Sequence, residues 1–168
     1  SQWRDTDEDG YGDNADGTDG DLCPLQEGYS AIDRLGCPDA DEDGYSDPAD
    51  AWTVDEGADA FPSDDSQWRD SDLDGFGDNP APAKMADVCP MTHGTSTEDR
   101  LGCPDTDDDG WSDDGDAFVF DITQWADGDS DGYGDNPAPA SAPDDCPGVW
   151  GNSTLDSLGC QDSDGDGW

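Results

Sequence analysis

The sequence predicts a mostly irregular, extended chain of tandem repeats with little regular secondary structure. Three observations indicate this class: large aliphatic side chains are few, aspartates recur at fixed spacings without helical periodicity, and one order of short motifs appears three times. Strands could exist only as pairs of two or three residues. One helical turn, at residues 30–34 and their equivalents, is the most helix that we expect.

The composition excludes a large apolar core. The chain has 168 residues, with 41 Asp and 5 Glu against 4 Arg and 1 Lys, and a formal net charge of −41. Leu, Ile, Val and Phe total 17 residues, well below the roughly 20% under which a charged chain is usually disordered. A disordered acidic tail, however, does not need 6 Cys, 7 Trp and 22 Gly. The charge excludes nucleic acid as a partner, and no apolar run could span a membrane.

The repeat is visible in motifs that return in the same order. They are Gln-Trp at 2–3, 67–68 and 124–125, Cys-Pro at 23–24, 89–90 and 146–147, and Leu-Gly-Cys at 35–37, 101–103 and 158–160. The predicted domains are repeat unit 1 at 1–65 with an insert at 48–58, repeat unit 2 at 66–122, and a truncated repeat unit 3 at 123–168. Because Trp168 corresponds to Trp111 in mid-pattern, we expect the chain to be a window of a longer array.

Each repeat unit carries segments of the form D-x-D-x-D-G-aromatic-x-D, here numbered loops 1 to 6. They occupy residues 5–13, 39–47, 70–78, 105–113, 127–135 and, truncated, 162–168. Carboxylates at positions 1, 3 and 5 can converge on one calcium ion, which takes six to eight oxygens. Glycine at position 6 permits the sharp turn, and position 7 offers its backbone carbonyl.

The candidate calcium ligands follow from this register. At positions 1, 3, 5, 7 and 9 they are Asp5, Asp7, Asp9, Tyr11 and Asp13; Asp39, Asp41, Asp43, Tyr45 and Asp47; Asp70, Asp72, Asp74, Phe76 and Asp78; Asp105, Asp107, Asp109, Trp111 and Asp113; Asp127, Asp129, Asp131, Tyr133 and Asp135; and, in loop 6, Asp162, Asp164 and Asp166. Position 12 is Asp16, Asp50 and Asp116 in loops 1, 2 and 4, but alanine in loops 3 and 5. For those two loops the candidates are Asp87 and Asp144, two residues before Cys-Pro, as Asp21 is in repeat unit 1.

Other interpretations of the loops are weaker. A solvated acidic linker would not repeat glycine and an aromatic residue in register six times. Magnesium keeps its waters and prefers few carboxylates, and zinc would lack ligands in a chain with one histidine.

The loops, joined to D-x-C-P and G-C-x-D-x-D-x-D-G, resemble thrombospondin type 3 repeats, in the shorter prokaryotic version found in secreted and cell-surface proteins. The resemblance covers nearly the whole chain. It implies an extended ribbon wound around a column of about 6 to 12 calcium ions. The chain departs from the family in its Gln-Trp elements, its Pro-Ala-Pro linkers and the insert, where the ion count is least defined.

The cysteines fall into three pairs, one per repeat unit. Six cysteines allow 15 connectivities, and a self-contained repeat selects Cys23–Cys37, Cys89–Cys103 and Cys146–Cys160. Disulfides predict an extracellular or cell-surface location, where calcium modules of modest affinity also occur.

Aromatic residues recur at fixed positions beside the loops, which favours packing over carbohydrate stacking. Asn152-Ser153-Thr154 is a glycosylation sequon, and the single histidine, His93, is more typical of a surface residue than of a catalyst.

We therefore expect a non-enzymatic extracellular structural protein, a calcium-stabilised spacer that forms a stalk or filament shaft. Its copies could associate end to end. The alternative is a calcium-dependent adhesin segment that binds glycans or surface partners. An enzyme is disfavoured because this composition cannot enclose a dry cleft.

Overall fold

The computed structural model describes residues 4–168, and this part of the chain is almost entirely irregular, as the sequence predicts. The only helix in that range is a 3₁₀ helix at Val54–Glu56. Strand pairing there is limited to isolated bridges, which join Gly12 to Gly20, Ala49 to Trp52, Gly77 to Ala86 and Gly134 to Pro143. No helix in this range is long and apolar enough to cross a membrane. The first Gln-Trp element, at residues 2–3, lies outside the described residues.

The helical turn expected at residues 30–34 does not form. The Gly36 N–H, rather than that of Arg34, donates to the Ser30 carbonyl, at 3.2 Å, which is too wide a span for a helix. The Ser30 hydroxyl donates to the Arg34 carbonyl and the Arg34 N–H donates to Asp33. Side chains thus take over the backbone groups that a helical turn would pair.

The chain divides into two compact units, Ser1–Met91 and Thr92–Trp168. This boundary falls inside repeat unit 2. The six cysteines form three disulfides. Cys23 is bonded to Cys37 and Cys146 to Cys160, as the repeat predicts, and Cys89 and Cys103 are also disulfide-bonded.

The interior of the described chain is polar. Its buried hydrophobic residues are only Cys37, Ala58, Phe76 and Cys103, whereas a dozen polar or charged residues are buried. Among the most buried are glutamines, serines and aspartates rather than aliphatic residues. Hydrogen bonding therefore has to do most of what a hydrophobic core does in an ordinary domain.

Aromatic rings connect successive loops within each of the two compact units. Tyr45, at position 7 of loop 2, stacks on Trp68 with ring centroids 5.0 Å apart. Trp111, at position 7 of loop 4, stacks on Trp125 at 6.1 Å. Each ring packs against the other ring of its pair, which supports the packing interpretation for these four residues.

Two glutamines act as buried clamps on the segments that follow loops 3 and 5. The Gln67 side-chain amide donates to the carbonyls of Asn79 and Lys84, at 3.0 and 2.8 Å, and accepts from the Asn79 N–H at 2.9 Å. Gln124 makes the same three bonds with Asn136 and Ser141. Both glutamines are at most 1% exposed, so these bonds have no solvent substitute.

We expect Gln67→Leu to lower the free energy of unfolding by about 3 kcal/mol, because two backbone carbonyls and one N–H lose their buried side-chain partner. Urea unfolding in the presence of calcium measures this. Gln26→Leu is the control: Gln26 is exposed, and its substitution should cost at most about 0.5 kcal/mol. Equal midpoints for the two variants would show that the clamp is dispensable.

Candidate metal centres

In each loop the position-1 aspartate holds the turn together. One of its oxygens accepts the N–H of position 6, at distances between 2.6 and 3.1 Å in all six loops. The position-5 carboxylate accepts the N–H of the aromatic residue at position 7, at 2.8 to 3.2 Å. The residue at position 4 is left-handed in the five complete loops, with φ between 61° and 67°. These bonds curl the backbone as the sequence predicts.

The curl brings the predicted carboxylates together. Oxygens from positions 1, 3 and 5 lie within 4.8 Å of one another in loops 1, 2, 4 and 5, so each group could hold a metal ion. Several of these oxygens are buried without a hydrogen-bond partner, including both of Asp7 and one each of Asp41, Asp43, Asp107, Asp109 and Asp129. Buried and unpaired carboxylate oxygens are costly, which makes a bound cation their natural partner.

Position 9 is held back towards the start of the loop. Asp13 accepts from both the N–H and the hydroxyl of Thr6, at 2.8 and 2.6 Å. Asp78 and Asp113 accept in the same way from Ser71 and Thr106. In loop 5 position 2 is glycine, and one buried oxygen of Asp135 has no partner.

A further aspartate closes each of the five complete loops. Its N–H donates to the carbonyl of position 8, at 2.8 to 3.0 Å, and one of its oxygens accepts the N–H two residues later. These closing aspartates, in loop order, are Asp21, Asp59, Asp87, Asp116 and Asp144. In all but Asp116 the second oxygen is buried and has no hydrogen-bond partner. The closing aspartate therefore offers one free oxygen to the loop's carboxylate group.

Electrostatics shows which loop each closing aspartate belongs to. The pKa values of Asp21, Asp87 and Asp144 are raised by burial and by the charges of positions 3, 5 and 9 in loops 1, 3 and 5. The pKa of Asp116 is raised by burial and by the charges of loop 4. Asp87, Asp116 and Asp144 thus lie with the loops for which the sequence proposed them. Asp21 lies with loop 1, whose position-12 candidate was Asp16.

Asp59 is the residue that the sequence analysis missed. It is fully buried, and the charges of Asp41, Asp43 and Asp47 act on it. The position-12 candidates Asp50 and Asp16 are both exposed. Asp59-Ala60-Phe61 matches Asp116-Ala117-Phe118, so the insert displaces the closing aspartate of loop 2 from position 12 by nine residues. This match was the signal that could have found it.

The insert is ordered, which explains how Asp59 returns to loop 2. The Thr53 N–H and hydroxyl donate to the Glu56 carboxylate, at 3.0 and 3.1 Å, across the 3₁₀ helix. The Arg34 guanidinium lies over the Trp52 ring, 5.4 Å from its centroid. Because the insert is ordered by these contacts, the Asp59 N–H still donates to the Ser46 carbonyl.

The residue of the glycosylation sequon, the single histidine and much of loop 6 lie at the surface. Asn152 and His93 are exposed. In loop 6 Asp162 accepts the N–H groups of Gly165 and Gly167, so the start of that loop has the common geometry. Asp164 and Asp166 are exposed there.

No protein-family model matches the chain, and a search of curated proteins found none that is significantly similar. The geometry of the loops is therefore the main evidence for function.

We expect Asp59→Asn to weaken the binding of one ion by at least about tenfold, because a divalent cation loses a charged ligand. Calorimetric titration with calcium measures this. Asp50→Asn removes the same charge from an exposed position and should leave the titration unchanged. The assignment of Asp59 is wrong if Asp50→Asn has the larger effect.

Burial, reinforced by the charges of Asp43, Asp41 and Asp47, raises the pKa of Asp59 from 3.8 to about 7 in the ion-free fold. The neutral carboxyl group therefore stabilises that fold below about pH 4, and this contribution is lost as the pH rises through about 7. Because a cation binds the ionised form, calcium should release more protons from the chain at about pH 6 than at about pH 8.5. Titration in weak buffer measures the release, which Asp59→Asn should reduce at about pH 6; equal release from both proteins would contradict the assignment.

Proposed function

We propose that the chain is an extracellular structural protein, a spacer whose irregular fold is held by calcium ions and disulfides. The observation that carries the proposal is the closing aspartate: every complete loop has one, fixed by a backbone bond to position 8, and in loops 1, 2, 4 and 5 it accompanies a group of convergent carboxylates. Such an arrangement is unfavourable without a cation and is favourable with one.

Calcium fits these groups better than other common divalent ions. The candidate ligands are all carboxylate or carbonyl oxygens. Each complete loop has six candidate residues, at positions 1, 3, 5, 7 and 9 and the closing aspartate, which suits a large cation with six to eight ligands. The resemblance to thrombospondin type 3 repeats points to the same ion. About 6 to 12 ions would neutralise about 12 to 24 charges of a chain whose net charge is −41.

A mechanical role follows from this energetics. With few buried hydrophobic residues, the binding energy of the ions becomes folding energy, so the chain is ordered in calcium and, above about pH 7 where the Asp59 carboxyl group is ionised, an expanded coil without it. Three disulfides support an oxidising, extracellular setting. Each repeat brings its own ions and disulfide, so the array can form a stalk or the shaft of a filament, with copies joined end to end.

A second candidate function is glycan binding by an adhesin segment. It is favoured by Trp150, which is 57% exposed and has no stacking partner among the described residues. Loss of glycan-array binding in Trp150→Ala, with calcium binding unchanged, would support it. Catalysis is not proposed, because the carboxylate groups are engaged in the loops.

Small-angle X-ray scattering of the oxidised chain tests the structural role. In millimolar calcium we expect the profile of an extended, ordered particle, and in excess chelator that of an expanded coil at the same mass, because the carboxylates then repel one another. Magnesium at equal ionic strength is the control and should not replace calcium. An identical expanded coil with and without calcium would exclude the proposal; mass that increases with calcium would favour the filament.

A further inference from the structure

Position 8 of each loop links the loop to its closing aspartate. Its carbonyl accepts the closing N–H in all five complete loops, so whatever holds position 8 also holds the site. The residue is glycine in loops 1, 3 and 5 and serine in loops 2 and 4. The two residue types are held by chemically different partners.

In loops 3 and 5 the N–H of position 8 donates to a backbone carbonyl, that of Met85 at 2.9 Å and that of Ala142 at 3.4 Å, and a neutral side-chain amide packs against the glycine. A Cβ atom on Gly77 would lie 2.1 Å from the side-chain amide carbon of Gln67, and one on Gly134 equally close to that of Gln124. Position 8 must therefore be glycine wherever the clamp is glutamine. No charge is added to these sites by the residue that holds position 8.

In loops 2 and 4 the partner is a carboxylate. Asp33 accepts the N–H and the hydroxyl of Ser46, at 2.9 and 2.8 Å. Asp99 accepts the same two groups of Ser112, at 2.8 and 2.7 Å. Ser46 and Ser112 are at most 1% exposed. Both oxygens of each carboxylate are used by serine, so these aspartates hold the loop rather than complete the ligand set.

The charge of the clamping aspartate nevertheless reaches the site. Asp33 is one of the charges that act on Asp43, a position-5 candidate ligand of loop 2. Loops 1 and 3 have the opposite bias, because Arg4 and Arg69 lie 3.4 Å from the position-9 carboxylates Asp13 and Asp78. Among the described residues, no arginine or lysine forms an ion pair with position 9 of loops 2, 4 or 5.

We propose that the loops form two classes of calcium site, in which loops 2 and 4 bind more tightly because Asp33 and Asp99 add a negative charge without acting as ligands. Loops 1, 3 and 5, with glycine at position 8, form the weaker class, and Arg4 and Arg69 weaken loops 1 and 3 further. This inference rests on the proposed function, since it concerns the same ions. Asp33 and Asp99 are positioning residues whose charge also sets affinity.

Calorimetric titration of the oxidised full chain with calcium, at low and at high sodium chloride, tests the inference. Wild type should show a tight and a weak class of sites. Asp33→Asn/Asp99→Asn keeps an oxygen acceptor for each serine N–H but removes the charge. It should weaken the tight class about three- to tenfold at low salt and flatten its salt dependence.

Two further double variants separate charge from folding. Ser46→Ala/Ser112→Ala removes a clamp bond but keeps the charge, so the salt dependence of the tight class should not change. Arg4→Gln/Arg69→Gln alters side chains that are 74% and 72% exposed, and it should tighten the weak class. A gain in calcium affinity of this kind cannot result from a loss of structure.

Asp55→Asn/Glu98→Gln is the matched control, because it removes two exposed charges that lie outside the loops. If it weakens the tight class as much as Asp33→Asn/Asp99→Asn does, the inference is overturned while calcium binding stands. The same holds if the serine variants reproduce the salt effect, or if the arginine variants leave the weak class unchanged. Absence of calcium uptake by wild type would overturn the proposed function and this inference together.

Discussion

The structure depends on one constraint: aspartate has to be buried in a chain that has almost nothing else to bury. An ordinary domain removes apolar surface from water and keeps its carboxylates outside. Here four of the five closing aspartates and several oxygens of positions 3 and 5 lie inside, and the backbone is bent around them. The turn of each loop, with its left-handed residue at position 4, holds these charges at short distance.

Hydrogen bonds from the backbone perform that task. Position 1 caps its own turn, position 5 accepts from position 7, and the closing N–H donates to position 8 in every complete loop. A carboxylate that accepts backbone N–H groups is fixed in orientation while one of its oxygens remains available. The loops are therefore organised as ligand sets by bonds that do not themselves involve an ion.

Much of the fold and of the ligand sets could be predicted from the sequence. The features that could not be predicted have a physical explanation. The irregular fold, the convergence of positions 1, 3 and 5 in loops 1, 2, 4 and 5, and the place of Asp87 and Asp144 beside loops 3 and 5 follow from local spacing. Asp59 was missed because counting to position 12 assumes a constant loop length, whereas the actual constraint is a backbone bond to Ser46. The clamps were missed because Gln67 bonds to residues twelve and seventeen positions away and Asp33 to a residue thirteen positions away, and no local pattern marks them.

The ordered insert of repeat unit 1 has a consequence for how such chains can change. Nine additional residues enter between position 9 and the closing aspartate, yet the closing bond and the carboxylate group of loop 2 are the same as in loop 4. A longer segment at this point therefore costs little free energy, provided that it begins and ends close together. A recognition peptide could be inserted at this position, between position 9 and the closing aspartate, without disturbing the repeat that carries it.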